Sequence, residues 1–554
     1  MKRTLIFFLL FTFLQPSFSQ KKFFKNYKFT EADTLRGMLR PERTCYDVTF
    51  YNLQIKVDIE KKYISGYNEI YYRAVDDFTK IQIDLFDNLK INKILFKGKK
   101  LSFTRKFNAV FIDFPKQKKG TKNSFIVHYE GAPISAKNPP WDGGFVWRKN
   151  SNGDPWVAVS CEGIGASLWF PNKDHLYDEP DSIRIGVAVP NGLTCISNGN
   201  LENTQKENGF TRFNWFVSYP INNYNITLNI TNYAHFSDTY KSNDGEDLEL
   251  DYYVLPENLK KAKKHFQQVK PMLACYEKFF GKYPFWNDGY ALVETPYLGM
   301  EHQSAIAYGN QYMRGYLGGL IPDGIDFDYI IIHETGHEYW GNSVSCADHA
   351  EMWIHESFCT YSEALYVEYM YNFDEALRYL DMQKMLIKNK KPILGPMNVN
   401  FNGWGHSDHY YKGAWILHTL RNSINDDKKW FGLIKSFYQK NKISIISTED
   451  FVTYASDYLK RDLSKFFNQY LKYPTIPALF YKIKEIKNGI EVSVVLKSDV
   501  KKFNMPILMG NPNNYRSVNV STSKSKHYFP DMEVKDFKIA NELFLINVKR
   551  LDKS

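Results

Sequence analysis

The hydrophobic period of this chain changes partway along, and no fold of a single class satisfies both periods. From about residue 44 to about 240 the apolar residues alternate. Leu53, Ile55, Val57 and Ile59 share one face, with mostly polar residues between them. Ile81-Gln82-Ile83-Asp84-Leu85 and Val110-Phe111-Ile112-Asp113-Phe114 repeat the pattern, and Ser65-Gly66 and Asn198-Gly199 supply turns. Alternation of this kind marks half-buried strands. After about residue 247, Leu259, Ala262, Phe266, Val269 and Leu273 recur at helical spacing, and further helical stretches cover 326–340, 351–371, 408–424 and 449–472. From about 475 strands return, with Asn488-Gly489 as a hairpin turn before Ile490-Glu491-Val492-Ser493-Val494. At about 150 residues per domain, 554 residues suit three or four domains. The expectation is a multidomain α+β chain. It comprises a leader at 1–19, an N-terminal all-β domain at 20–246, a mostly helical domain at 247–474 and a small C-terminal β domain at 475–554.

The leader reads as a signal peptide. Lys2 and Arg3 precede a largely apolar run from Leu5 to Leu14, and Ser17-Phe18-Ser19 offers small residues for cleavage before Gln20. The run is too short to cross about 30 Å of hydrocarbon, and no later stretch has about 18 uninterrupted apolar residues. An exported protein, periplasmic or secreted, with no membrane span after cleavage is expected. Net charge is +10, but the lysines are scattered; the run Lys116-Gln117-Lys118-Lys119 stops at Gly120. That is a solvated surface rather than a nucleic-acid track, so no nucleic-acid partner is expected. The six cysteines are widely spaced with no Cys-x-x-Cys, which argues against a thiolate metal site and leaves any pairing open.

The chemistry centres on His333-Glu334-Thr335-Gly336-His337. Residues i and i+4 of a helix lie on one face, so the two imidazoles can grip one Zn²⁺ while the glutamate takes a proton from water. Gly336 is an oddity, since glycine inside a helix costs about 1 kcal/mol relative to alanine; a close packing neighbour would explain it. A third ligand is needed. Glu356 lies 19 residues beyond His337 in Trp353-Ile354-His355-Glu356-Ser357-Phe358, and a loop would bring its helix back across the first. Glu363, two turns further on, is placed to hold the far nitrogen of a ligating histidine. Taken alone these two acids would read as an exposed helix face.

These residues make the chain similar to the aminopeptidase N family of zinc metallopeptidases, a gluzincin group that includes leukotriene hydrolase. The zinc signature of that family is His-Glu-x-x-His, eighteen residues, then Glu, and it is met by His333, Glu334, His337 and Glu356. Gly341-Asn342 and Trp353 also fit. The family motif Gly-x-Met-Glu-Asn appears as Leu298-Gly299-Met300-Glu301-His302, where Met300 and Glu301 match. Tyr-Glu-Lys-Gly appears as Tyr410-Tyr411-Lys412-Gly413, with Tyr411 in place of glutamate. The resemblance spans the chain from about residue 44 and leaves no room for the family's large helical C-terminal domain. It implies a thermolysin-like catalytic domain with a small sheet, a terminal β-sandwich, one Zn²⁺ per chain and peptide substrates with a free N-terminus. Glu334 would be the general base and Tyr410 the donor to the oxyanion. Glu301 would hold the α-ammonium, joined by Glu162 of Cys161-Glu162-Gly163-Ile164-Gly165-Ala166, where the family usually has glutamine. Gly299 and Met300 would offer strand backbone to the substrate, and Glu162 would reach into a cleft between the first two domains. An endopeptidase of the wider zinc group, an epoxide hydrolase and a binding protein on an inactive scaffold are the competing readings.

Overall fold

The structure is a computed structural model describing residues 23–24 and 27–551; the expected signal peptide at 1–19 lies outside the described residues. After two short helices, Glu31–Gly37 and Pro41–Thr44, the chain is mostly strand as far as Val254. Tyr46–Asp58 lies near the middle of an eight-stranded sheet, antiparallel to Tyr63–Ala74 and parallel to Ile183–Pro190, with Leu53 opposite Ile185. Its alternation does what the sequence asks: Leu53, Ile55 and Val57 are fully buried in one core. A three-stranded sheet (Phe78–Asp84, Ala109–Gln117, Phe103–Lys106) and a four-stranded sheet complete this region.

The second of these, formed by Gly144–Lys149, Pro155–Ser160, Asn229–Thr231 and Thr194–Ile196, leads straight into the turn that carries Glu162. That turn closes through Gly165 N donating to Cys161 O at 2.7 Å. Gly163 and Gly165 both have positive φ, +72° and +94°, and a β-carbon at Gly165 would overlap the carboxylate of Asp174. Glycine is therefore dictated by the backbone there. Behind the turn, buried Arg43 and Asp84 pair at 2.5 Å, and Asp84 accepts from Asp174 N at 3.1 Å.

A five-stranded sheet follows, in the order Ala234–Lys241, Asp247–Val254, Tyr290–Glu294, Ile306–Tyr308, Gly299–Met300. Its first strand starts before residue 247, because Ala234–Lys241 pairs along its whole length with Asp247–Val254. Gly299–Met300 is the edge strand. The helices Val269–Phe279, Tyr329–Tyr339, Trp353–Met370, Phe373–Lys384, Tyr411–Ile424 and Asp427–Asn441 pack beside this sheet. The helical pattern at 449–472 is two helices, Thr448–Leu459 and Ser464–Lys472.

The C-terminal β region has a four-stranded and a three-stranded sheet. Their inner residues, such as Val492 and Val494 on one and Ile507 and Val520 on the other, share a single hydrophobic core with the helices. Lys412 Nζ, buried, donates to the carbonyls of Tyr473 and Pro474 where this region begins. All six cysteines are buried and unpaired. No helix among the described residues is long and apolar enough to cross a membrane.

Two glycines on these helices behave oppositely. At Gly336 a β-carbon would meet Cys359 at 3.5 Å, an ordinary contact, so no close neighbour demands glycine there. At Gly413 a β-carbon would overlap the hydroxyl of Ser357 and stand 2.5 Å from its Cβ, so the Tyr411–Ile424 helix docks on Trp353–Met370 only through glycine. Thermal or denaturant unfolding should therefore find Gly336→Ala neutral to stabilising by up to about 1 kcal/mol. Gly413→Ala should destabilise by about 1–3 kcal/mol through overpacking.

Candidate active site

Asp328 caps the Tyr329–Tyr339 helix by accepting from the backbone of Ile330 and Ile331, and the helix starts three residues later than the 326 expected from the sequence. Ile330, Ile331 and Ile332 sink into the core and anchor the helix. One turn on, His333 and His337 present their Nε2 atoms 3.3 Å apart. Glu356, in the first turn of the crossing helix, brings Oε2 to 3.4 Å from His333 Nε2 and 3.5 Å from His337 Nε2. Zinc bonds of about 2.0–2.1 Å in tetrahedral geometry place ligand atoms about 3.3–3.4 Å apart, so this triangle has the size of a zinc site. Glu356 Oε2 is buried and accepts no hydrogen bond. The donor set, two imidazoles and a carboxylate, fits one Zn²⁺ with a position left open.

The outer nitrogens fix the tautomers. His333 Nδ1 lies 2.7 Å from Glu363 Oε1, and His337 Nδ1 lies 3.1 Å from Trp340 O. Each Nδ1 is therefore a donor, which leaves each Nε2 facing the centre as the ligand atom once it carries no proton. Glu363 is itself held by Tyr379 OH at 2.5 Å and Gln383 Nε2 at 2.8 Å. Burial works against a charged His333, but the neighbouring carboxylates of Glu356 and Glu363 win and hold it at about 9.

Glu334 also faces the centre, beside the Gly299–Met300 edge. A β-carbon on Gly299 would stand 2.8 Å from Glu334 Oε1 and 2.8 Å from Ile330 Cγ2, so the side chain at 299 must be hydrogen. Burial raises Glu334; the pull of His333 and His337 exceeds the push of Glu301 and Glu356 but not the effect of burial, which holds the carboxyl at about 7. A carboxyl so placed accepts and releases a proton near neutral pH.

Glu301 follows the edge strand and is buried, with its carboxyl oxygen within 4.8 Å of ligand atoms of both Glu334 and His337. Its Oε1 accepts from Tyr224 OH at 3.1 Å, and its backbone carbonyl accepts from Asn342 Nδ2 at 2.8 Å. Asn225 Nδ2 donates in turn to Asn342 Oδ1 at 2.6 Å. Glu162 enters the same cavity, of about 910 Å³, from the β region. Burial and the charge of Glu301 push it well above the usual carboxylate range. A cluster of carboxylates that repel one another is a standing attraction for a cation. His302, where the family has asparagine, is fully buried and points no ring nitrogen at a partner.

Tyr410 precedes the first turn of its helix and stacks on His333, with ring centroids 5.8 Å apart. Its hydroxyl donates to Glu356 Oε1 at 2.8 Å. Burial and the Glu356 charge keep that hydroxyl protonated. Tyr411 lines the cavity beside it. The sequence reading singled out neither Tyr224, Asn342 as a partner of Glu301, nor Asp408. Asp408, fully buried, accepts from Lys388 N and Asn389 N at 2.7 Å each. Only Asn342 carried a signal, its place after the zinc helix.

Residues 265–470 match the peptidase family M1 domain. Leucyl aminopeptidase of Saccharolobus solfataricus is 20% identical over 416 residues, 73% of this chain and 51% of that protein. Aminopeptidase N of Escherichia coli is 23% identical over 327 residues, 56% of this chain and 37% of its own length. The chain thus spans about half the length of the curated relatives it matches. Among solved structures, the M1 zinc metallopeptidase of Deinococcus radiodurans superposes with a TM-score of 0.63 at 18% identity, covering 78% of this chain and 94% of that one. A mutant M1 zinc metallopeptidase from the same organism, bound to a Tyr-Ser-Ala substrate, gives 0.64. The chain carries a peptidase family M1 domain at residues 265–470, and its fold is that of the M1 zinc metallopeptidases.

Proposed function

We propose that the chain is a zinc-dependent aminopeptidase that removes N-terminal residues from peptides. The observation that carries this reading is the company kept by the three donors: the triangle of His333, His337 and Glu356 shares its cavity with two further carboxylates, Glu301 and Glu162, that take no part in it. A substrate ammonium between those two would neutralise their repulsion through charge-assisted hydrogen bonds. An endopeptidase has no use for such a grip.

When bound to His333, His337 and Glu356, zinc supplies Lewis acidity towards water and the scissile carbonyl. Glu334 takes a proton from the attacking water and later passes it to the leaving amine. Tyr410, fixed by its ring stack on His333, swings its hydroxyl bond from Glu356 to the oxyanion, an interaction often worth about 3 kcal/mol. The open edge of Gly299–Met300 pairs with the substrate backbone as an added strand. Glu363 holds His333 in the tautomer that coordination needs. Export follows from the N-terminal pattern, and mass spectrometry of the protein recovered outside the cytoplasm should find Gln20 at its start.

Paired aminoacyl-anilides with free and acetylated amines test the activity. Only the free-amine set should be cleaved, with loss on chelation and recovery with zinc; cleavage of the acetylated set would contradict the reading. Glu334→Gln should lower kcat by about 10²–10⁴-fold with little change in KM, since general acid–base catalysis contributes on that scale. The metal site carries its own pH signature. Because His333 is held at about 9, below that pH it is protonated and zinc must displace the proton. Apparent zinc affinity should therefore rise with pH towards about 9, with proton release visible by calorimetry in buffers of different ionisation enthalpy. Glu363→Gln should weaken zinc by about 10–100-fold and move that rise to lower pH.

A further inference from the structure

The cavity lining carries both signs of charge. Its carboxylates are Glu162, Glu301, Glu334 and Glu356. Its lysines, Lys388 and Lys390, come from one loop. Neither ammonium group has an ion-pair or hydrogen-bond partner among the described residues. The loop is nevertheless fixed. Buried Asp408 accepts from the backbone of both Lys388 and Asn389 at 2.7 Å, and Asn389 takes the left-handed φ of 51° that lets the chain turn there. Next along the chain, Lys391 Nζ donates to Gly403 O at 2.9 Å, tying the loop to the segment that carries His406. Asp408 lies two residues before Tyr410, so the loop and the tyrosine at the triangle share one anchor. Two unpaired ammonium groups held at the wall of a peptide cleft are free to take an anion that the substrate brings.

A free peptide brings one. We infer that Lys388 and Lys390 bind the C-terminal carboxylate of short peptides, so that this cleft prefers zwitterionic oligopeptides of about three to five residues over longer chains. The inference rests on the aminopeptidase reading, which places the ammonium at Glu162 and Glu301. An extended peptide advances about 3.3–3.6 Å per residue, so the distance from its amine to its C-terminal carboxylate grows with every residue, and only a narrow range of short lengths lets both charged ends meet their partners at once. The lysine ends are exposed and solvated, so each contact is modest, and salt screens it.

The test compares peptides of two to eight residues with a common N-terminal residue, each as free acid and as C-terminal amide, on the zinc-loaded protein and on its Lys388→Ala/Lys390→Ala variant. The readout is the acid-to-amide ratio of kcat/KM, in which any general loss of activity cancels. The expected result is a ratio of roughly three- to tenfold at three to five residues, shrinking at greater length and in 0.5 M salt, and close to one in the variant. A ratio of one at every length in the unaltered protein, or a preference that survives in the variant, would overturn the inference. Turnover of neither form would overturn the aminopeptidase reading and this inference with it.

Discussion

The imidazole of His333 is clamped between two carboxylates from one helix, Glu356 at its inner nitrogen and Glu363 at its outer one. The rest of the site depends on that clamp. The carboxylates lie seven residues apart, two turns of the same helix, so a single helix crossing supplies both the third donor and the group that orients the first. The crossing is what the surrounding core is built to hold. Three consecutive isoleucines sink the His333 helix, and Trp340 and Phe358 stack at 4.2 Å where the two helices meet. Glu363 is buried without solvent, and its charge is tolerable only because the imidazole, Tyr379 and Gln383 all donate to it.

From that fixed centre the other groups that line the cavity are hung by shorter tethers. Gly413 lets the Tyr410 helix lie against Ser357, the residue after Glu356, so the tyrosine and the third donor are set by one contact. Asn342, just past the His337 helix, holds the Glu301 backbone, and Tyr224 reaches over from the β region to its carboxylate. The β region thus does more than cap the cleft. It contributes Glu162 on a glycine-shaped turn and steadies Glu301 through Tyr224 and Asn225. The two regions meet where the charge is densest.

How much of this the sequence disclosed depended on how local each signal was. The change of period marked β, helical and β regions because alternation and helical spacing are short-range consequences of burial. The His333 helix and the Glu356 helix were legible because metal ligation ties residue types to a fixed spacing. Gly336 invited a packing explanation that the crossing does not bear out, since glycine there meets only ordinary contacts. Tyr224 and Asp408 stayed hidden for the opposite reason. A lone tyrosine in a strand-rich stretch and a lone aspartate in a loop have no periodicity, and their roles come from partners 77 and about 20 residues away. The start of the five-stranded sheet was equally out of reach, because Ala234–Lys241 alternates like the strands before it but pairs with the strands after it.

The central claim is that three side chains meet at one ion while two other carboxylates meet the substrate amine. A crystal of the zinc-loaded protein soaked with a free amino acid, measured at the zinc absorption edge, tests it most directly. One anomalous peak within about 2.0–2.2 Å of His333 Nε2, His337 Nε2 and a Glu356 oxygen, with the amino group hydrogen-bonded to Glu301 and Glu162, is the result the account predicts. A peak liganded by Glu301 or Glu334 in place of Glu356, or an amino group turned away from both carboxylates, would contradict it.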